Sequence, residues 1–172
     1  TTGADAQLRV AFGTGTHETT KLCVQAIEDY LRPQDTVIDV GCGTGILSIV
    51  AAKEGAGKVI GVDFDPVAIK TAGENSVKNG TDDVIELYEG NLLDSGDPEL
   101  RADMVVANIL AQAIVTLTPE VTNVLKEGGI FISSGIITEF LPDVLDALEQ
   151  ESFEILEERP LGEWHAVIAK KL

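Results

Sequence analysis

Short apolar runs alternate with amphipathic stretches along this chain. The runs begin near Val37, Lys58, Val84, Asp103 and Ile130, and the segments between them have the mixed apolar and polar character of surface helices. The fourth run is apolar throughout after its first residue, which is typical of a parallel strand covered on both faces. We therefore predict an α/β fold in which right-handed crossovers produce a doubly wound, mostly parallel sheet.

The pattern gives boundaries for most elements. Strands are predicted at residues 37–40, 58–62, 84–88, 103–107, 130–133, 153–158 and 163–169, and helices at 23–31, 46–53, 66–78 and 139–150. A further helix after Leu110 is expected to break at Pro119 and to restart as far as Leu125, and Lys126–Gly129 is expected to form a turn. The last two strands read as a hairpin that adds an antiparallel strand, which gives seven strands in one domain, residues 1–172.

A glycine-rich turn follows the first strand and leads directly into a helix that begins at Ile46. Gly41, Gly43 and Gly45 permit positive φ and leave the backbone bare. The helix start directs amide donors and a positive dipole end into the same space. The stretch predicts a site for a nucleotide-like cofactor, although three glycines alone also describe an ordinary tight strand–helix turn.

The spacing of these glycines distinguishes between cofactors. A dinucleotide fingerprint would place its third glycine at position 46, which is Ile46, so an NAD-dependent dehydrogenase is disfavoured. Asp39 precedes Gly41 by two residues, and Asp-x-Gly-x-Gly-x-Gly is similar to the first motif of Rossmann-like S-adenosylmethionine (SAM) methyltransferases. The methionyl ammonium and carboxylate of SAM suit the Asp39 carboxylate and the free amides of the turn.

Further polar residues follow the other predicted strands. Asp63 ends the second strand, where an acid accepts hydrogen bonds from two ribose hydroxyls. Because Asp65 and Pro66 supply the N-cap and first residue of the next helix, we infer that Asp63 is left free for a ligand. Asn91 and Asn108 follow the third and fourth strands. The carboxyl ends of parallel strands meet at one edge, so these groups are expected to converge on a cofactor site.

Composition excludes several classes of protein. The 172 residues carry a net charge of −17, which argues against a nucleic-acid surface and favours a basic partner. No apolar run reaches the length of a membrane span and no signal peptide opens the chain, so we expect a cytoplasmic protein. Cys23 and Cys42 lack metal-ligand spacing, and no metal is expected. The sequence is silent on oligomeric state.

Several motifs together resemble the bacterial ribosomal-protein methyltransferases of the PrmA type, which act on ribosomal protein L11. They are Phe12-Gly13-Thr14-Gly15-Thr16-His17-x-Thr19-Thr20, Asp39 to Ser48, Gly61 to Pro66, Val106 to Ala111, Ser134-Gly135-Ile136 and Gly162-Glu163-Trp164. The resemblance implies a Rossmann-like class I SAM methyltransferase that leaves S-adenosylhomocysteine as product and adds methyl groups to lysine and α-amino groups of a basic ribosomal protein.

The resemblance also implies the residues of the site. The cofactor-binding set is Phe12, Thr14, Gly15, Thr16, His17, Thr20, Asp39, Gly41, Gly43, Asp63, Phe64, Asn91, Leu92 and Asn108. Phe64 would pack on the adenine, and Asn91 would lie near its amino group. The side-chain oxygen of Asn108 suits an amine that must be oriented towards the methyl group, although an asparagine there could simply cap the next helix. His17 is expected to hydrogen-bond backbone or cofactor rather than act as a base, and His165 to be structural.

One expected part is missing. The family carries an N-terminal substrate-recognition domain ahead of this region, and nothing precedes Thr1, so we expect either an excised piece of a longer protein or a different acceptor. The alternatives are a methyltransferase of the same fold that acts on another protein lysine or a small molecule, and a SAM-binding module without catalysis.

Overall fold

A seven-stranded sheet organises the computed structural model, which describes residues 17–91, 93 and 98–172. The strands are β1 (Thr36–Val40), β2 (Lys58–Asp63), β3 (Ile85–Glu89), β4 (Ala102–Asn108), β5 (Leu125–Ile137), β6 (Phe153–Leu161) and β7 (Trp164–Lys171). The helices are α1 (Glu18–Tyr30), α2 (Ile46–Lys53), α3 (Pro66–Lys78), α4 (Ala111–Val124) and α5 (Leu141–Gln150), with a 3-10 turn at Thr138–Phe140.

The strand order is β3-β2-β1-β4-β5-β7-β6. Strands β1 to β5 pair in parallel, and β7 pairs antiparallel with both β5 and β6. The predicted doubly wound, mostly parallel sheet with an antiparallel C-terminal hairpin is therefore confirmed. The chain steps outward from β1 to β3 and then returns to the other side of β1, so the topology reverses between β1 and β4. Ligands of such sheets bind outside the strand ends at this reversal.

Helices cover both faces of the central strands, and successive strand residues point to opposite faces, so each face contributes to its own core. Val37 and Val106 face α1 and α2 in one apolar core, which also contains Cys23. Ile38 and Val105 face α4 and α5 in the other. This double coverage explains why the central strands are continuously apolar, and it buries the Cys23 thiol completely.

Helix α1 begins at Glu18, five residues earlier than predicted. His17 is its N-cap: Nδ1 accepts a hydrogen bond from the Thr19 amide at 3.2 Å and lies 2.8 Å from the Thr19 hydroxyl. The acidic Glu18 also suits the positive end of the helix dipole. Thr19 and Thr20 are therefore helical and buried, and the predicted start of this helix at residue 23 was wrong.

The predicted break at Pro119 was also wrong, because α4 runs continuously from Ala111 to Val124. Proline removes the N–H that would bond to the Val115 carbonyl. The helix persists because Leu117 and Val121 are fully buried against the sheet, while Pro119 itself lies on the exposed side. Tertiary packing outweighs the local cost of the proline here.

Other boundaries shift by a few residues. The predicted turn at residues 126–129 lies inside β5, where Ala102 pairs with Leu125 but Met104 pairs with Ile130, so the extra residues bulge out of the ladder. The predicted helix at 139–150 opens as a 3-10 turn and becomes α-helical at Leu141.

Candidate functional site

The turn after β1 is tied to the neighbouring strand. The amides of Gly41 and Cys42 both donate to the Val62 carbonyl, at 2.8 and 3.0 Å, and the Gly45 amide closes the turn on the Cys42 carbonyl at 2.9 Å. These hydrogen bonds satisfy turn amides that would otherwise face solvent. The turn is therefore fixed against β2 before any ligand is considered.

The three glycines serve different purposes, although all have positive φ (68°, 55° and 86°). A Cβ on Gly41 would stand 2.9 Å from Ile109 Cγ2, and one on Gly45 would stand 3.0 Å from the Ala72 Cβ. A Cβ on Gly43 would meet no atom of the described residues within 4 Å. Gly41 and Gly45 thus permit close packing, whereas Gly43 presents bare backbone to open space, as a ligand-facing turn requires.

Asp63 lies at the tip of β2, with its carboxylate drawn to the glycine turn. Its Oδ2 accepts the Gly43 amide at 2.9 Å and its Oδ1 accepts the Asp65 amide at 3.0 Å. Asp65 caps α3 through the Val67 amide at 2.9 Å, as predicted. Asp63 was predicted to be free for a ligand; the structure adds two protein amides as partners, because the turn folds back onto its carboxylate. Each carboxylate oxygen still has a second lone pair, so a diol could be accepted as well.

Asp39 is buried beneath the same turn, with 2 % of its surface exposed. Its Oδ2 accepts a hydrogen bond from the Ser48 hydroxyl at 2.7 Å. Burial raises the pKa of Asp39 to about 7; the Ser48 hydrogen bonds oppose this shift and the nearby Asp63 charge adds to it. A cation beside Asp39 would favour its ionised form.

Asn108 ends β4 beside a bulge in β5. Between β5 and β7 the register shifts from Ser133↔Val167 to Ile136↔His165, and Gly135 within the shift has φ of +87°. A Cβ on Gly135 would stand 2.7 Å from the Ile109 carbonyl oxygen and 3.2 Å from Asn108 Oδ1. Only glycine therefore leaves Asn108 its place at the strand end.

An apolar cavity of about 510 Å³ opens beside the ends of β4 and β5. Its lining consists of Leu110, Ala111, Gln112, Ala113, Gly135, Ile137, Phe140 and Trp164. Leu110 and Ile137, 79 % and 38 % exposed, both belong to this lining, so the exposed apolar side chains are contiguous rather than scattered. The cavity is suited to an aliphatic chain.

The remaining predicted residues lie around this edge or outside the described residues. Phe64 is 73 % exposed directly after Asp63, and Asn91 is exposed just beyond β3. His17 bonds to backbone, as expected, and Thr20 is buried in the first turn of α1. Phe12, Thr14, Gly15, Thr16 and Leu92 fall outside the described residues.

Two supporting residues were missed from the sequence. Ser48 holds Asp39, and Asn75, fully buried in α3, donates through Nδ2 to the Thr44 carbonyl of the glycine turn at 2.9 Å. The available signal was a polar residue within an apolar stretch: Ser48 stands between Leu47 and Ile49. Such residues are rarely buried without a partner.

Two classes of feature are not found in the described ranges. The helices there lack the combined length and apolarity of a bilayer span. The described His, Cys, Asp and Glu side chains form no group of three that could hold a metal ion. Cys42, inside the turn, is a free and buried thiol whose pKa is raised, chiefly by burial and further by the charges of Asp39 and Asp63.

Comparison with known proteins adds to this geometry. Residues 8–172 match the family described as ribosomal protein L11 methyltransferase (PrmA). A ribosomal protein L11 methyltransferase of Clostridium botulinum (strain Eklund 17B / Type B) is 52 % identical over 161 residues, and one of Alkaliphilus oremlandii is 47 % identical over the same length. The aligned region covers 94 % of this chain but 50 % and 51 % of those relatives, so the chain spans about half their length.

A solved structure is similar as well. The crystal structure of ribosomal protein L11 methylase from Lactobacillus delbrueckii subsp. bulgaricus superposes with a TM-score of 0.86 at 37 % identity, covering 92 % of this chain and 82 % of that one.

Proposed function

Because the chain belongs to the ribosomal protein L11 methyltransferase (PrmA) family, we propose that residues 1–172 form a SAM-dependent catalytic domain that methylates lysine side chains and α-amino groups of ribosomal protein L11. The observation that carries the proposal is the meeting of Asp39, Gly43, Asp63 and Asn108 at the carboxyl ends of three adjacent strands, beside the reversal of the sheet. Four such groups from three separate segments form a set that a tight turn alone does not explain.

The donor set fits the cofactor. Asp63 would accept the ribose hydroxyls, because both of its oxygens lie at the tip of β2 and each keeps a lone pair. Asp39 would hold the methionyl ammonium from below the turn, where a low-dielectric surrounding strengthens the attraction. The exposed ring of Phe64 would pack on the adenine, near Asn91. We extend the resemblance to Phe12, Thr14, Gly15, Thr16 and Leu92 as further cofactor contacts.

The acceptor side is formed by Asn108 and the apolar cavity. When bound, SAM supplies a methyl group made electrophilic by its sulfonium. A neutral amine must be presented to it, and an apolar surrounding lowers the pKa of a lysine ammonium. Leu110, Phe140 and Trp164 would provide that surrounding for the lysine stem, while Asn108 Oδ1 accepts a hydrogen bond from the amine and aligns its lone pair. The protein would reside in the cytoplasm with its ribosomal substrate.

The experiment combines binding with turnover. Calorimetric titration with SAM, S-adenosylhomocysteine and NADH should show binding of the first two only, and radiolabelled methyl should appear on L11. Saturable SAM binding without transfer to L11, but with transfer once the N-terminal half of a full-length relative is supplied, would assign acceptor recognition to that half. Binding of NADH in preference to SAM would contradict the proposal.

A further inference from the structure

A hydrogen-bonded chain of three side chains joins the C-terminal strands near the cofactor edge. His165 Nδ1 lies 2.7 Å from Glu158 Oε2, and His165 Nε2 lies 2.7 Å from the Thr138 hydroxyl. With the ring proton on Nδ1, the imidazole donates to the carboxylate and accepts from the Thr138 hydroxyl. The Glu163 carbonyl lies 3.2 Å from the same hydroxyl and competes for its single proton, and the His165 contact at 2.7 Å is the shorter of the two. His165 is 9 % exposed, and this largely dry setting strengthens both bonds.

The three hydrogen-bonded side chains belong to three segments of the fold. Glu158 belongs to β6, His165 to β7, and Thr138 follows the end of β5. The Thr138 amide also donates to the Glu163 carbonyl at 3.1 Å. The turn between β6 and β7, residues 161–164, is therefore fastened to the end of β5 by side chains as well as by the strand ladder. We call residues 161–164 the hairpin turn.

The hairpin turn contacts the start of α1. The ring of Trp164 meets the ring of His17 edge to face, with centroids 5.5 Å apart, and His17 is the N-cap of α1. A Cβ on Gly162, which has φ of +63°, would stand 3.2 Å from Glu18 Oε2. Trp164 also lines the apolar cavity beside Asn108. The Trp164 ring therefore contacts the start of α1, which carries Thr20, and also forms part of the wall of the apolar cavity.

From these contacts we infer that His165 is a positioning residue for cofactor binding: bridging Glu158 and Thr138, it fixes the hairpin turn, and Trp164 transmits that position to His17 and the first turn of α1. The inference rests on the proposed function for its link to SAM. It does not place His165 in contact with any ligand.

The same hairpin offers a matched control at the opposite end of α1. Arg159 in β6 bonds to Asp29 Oδ2 at 2.9 Å and to Glu157, and Tyr30 donates a hydrogen bond to Glu157. Arg159→Gln therefore loosens the same hairpin from the same helix, but away from the cofactor edge. Its effect measures what the loss of stability alone does to binding.

The first readout is fluorescence, because Trp164 is the single tryptophan of the sequence. His165→Leu and Thr138→Val should shift the emission to the red and increase quenching by iodide, since the ring leaves its contact with His17. Arg159→Gln should leave the emission as in the wild type. This readout needs no cofactor, so it tests the positioning even if the proposed function fails.

The second readout is the dissociation constant for SAM. His165→Leu and Thr138→Val should each raise it roughly three- to tenfold, the scale of coupling through a packed network, and Arg159→Gln should leave it within twofold. Thr138→Val replaces a hydroxyl by a methyl group at an exposed position and removes its contacts with His165 and the Glu163 carbonyl, so it stands in if His165→Leu does not fold. In a Trp164→Leu background, His165→Leu should change the constant little further.

Unchanged emission together with SAM affinity equal to that of Arg159→Gln would overturn the inference. Failure of the wild type to bind SAM would overturn the proposed function instead, while the fluorescence result would still decide whether His165 positions Trp164.

Discussion

Replacing Asp39 with asparagine should make the free protein more stable at pH 8 and remove a pH dependence of cofactor binding. Asp39→Asn keeps the shape of the side chain and a partner for the Ser48 hydroxyl, but it removes the buried charge. The two effects have opposite signs. Ionised Asp39 lowers the free energy of unfolding of the protein without cofactor, but it should raise the affinity for the cofactor.

The stability effect follows from the raised pKa. Asp39 titrates near 7 in the folded chain and near 3.9 when unfolded, a difference of about 3 units, or roughly 4 kcal/mol at most. Since the folded state binds the proton more tightly, this penalty is fully present above pH 7, shrinks as the pH falls from 7 to 4, and vanishes below. Asp39→Asn should therefore raise the free energy of unfolding at pH 8 by a few kcal/mol at most, and by little at pH 4.

The pH dependence of cofactor affinity follows from the same pKa of Asp39. A group with a pKa of about 7 is roughly one-tenth ionised at pH 6 and nine-tenths ionised at pH 8, so an ammonium that requires the carboxylate should bind about tenfold more weakly at pH 6. The ligand's own titration is the same for both proteins. The difference between their profiles therefore isolates Asp39.

The assay is calorimetry with SAM at pH 6, 7 and 8, in paired buffers of different ionisation enthalpy, alongside urea unfolding at each pH. The wild type should release nearly one more proton than Asp39→Asn at pH 6. Parallel affinity profiles and equal proton release would show that Asp39 does not face the cation. A lower unfolding free energy for Asp39→Asn at pH 8 would refute the burial penalty.

Three further predictions concern the same edge of the sheet. Gly45→Ala should lower the free energy of unfolding by roughly 1–3 kcal/mol, because its Cβ would stand 3.0 Å from the Ala72 Cβ. Gly43→Ala should lower it by about 1 kcal/mol because of the positive φ, and its main effect should be a lower affinity for SAM. Urea unfolding and calorimetry on both variants separate the two effects. Asp63→Ala should weaken SAM binding by roughly 1–3 kcal/mol, and unchanged calorimetric affinity would remove it from the ribose. Asn108→Ala should slow methyl transfer more than it weakens SAM binding, and wild-type turnover at saturating SAM would contradict its assigned role.

The parts of the fold that follow from local pattern were predictable. The continuous apolar strands gave the sheet, and Asp65-Pro66 gave the start of α3. The start of α1 was not predictable in this way, because its cap is a histidine and threonines rarely favour helix interiors. The helix through Pro119 depends on burial against a sheet that no local window contains.

The site also contains features that the sequence could predict and features that it could not. Asp39, Asp63 and Asn108 could be placed at strand ends from spacing alone. The partners of Asp63 could not, since the Gly43 amide reaches it only after the turn closes on β2. The role of Gly135 depends on a register shift between β5 and β7, which is set by pairing distant segments rather than by the residues around it.

Because the topology reverses between β1 and β4, the residues proposed for the cofactor and those proposed for the acceptor come largely from different halves of the chain. Apart from Asn108, every described residue assigned to the cofactor lies before position 100, and the cavity wall assigned to the acceptor lies entirely after it. Under the proposed assignments, substitutions in the second half can alter which amine is presented while the residues proposed for the nucleoside stay unchanged. A lineage with this topology can change its target without rebuilding its source of methyl groups.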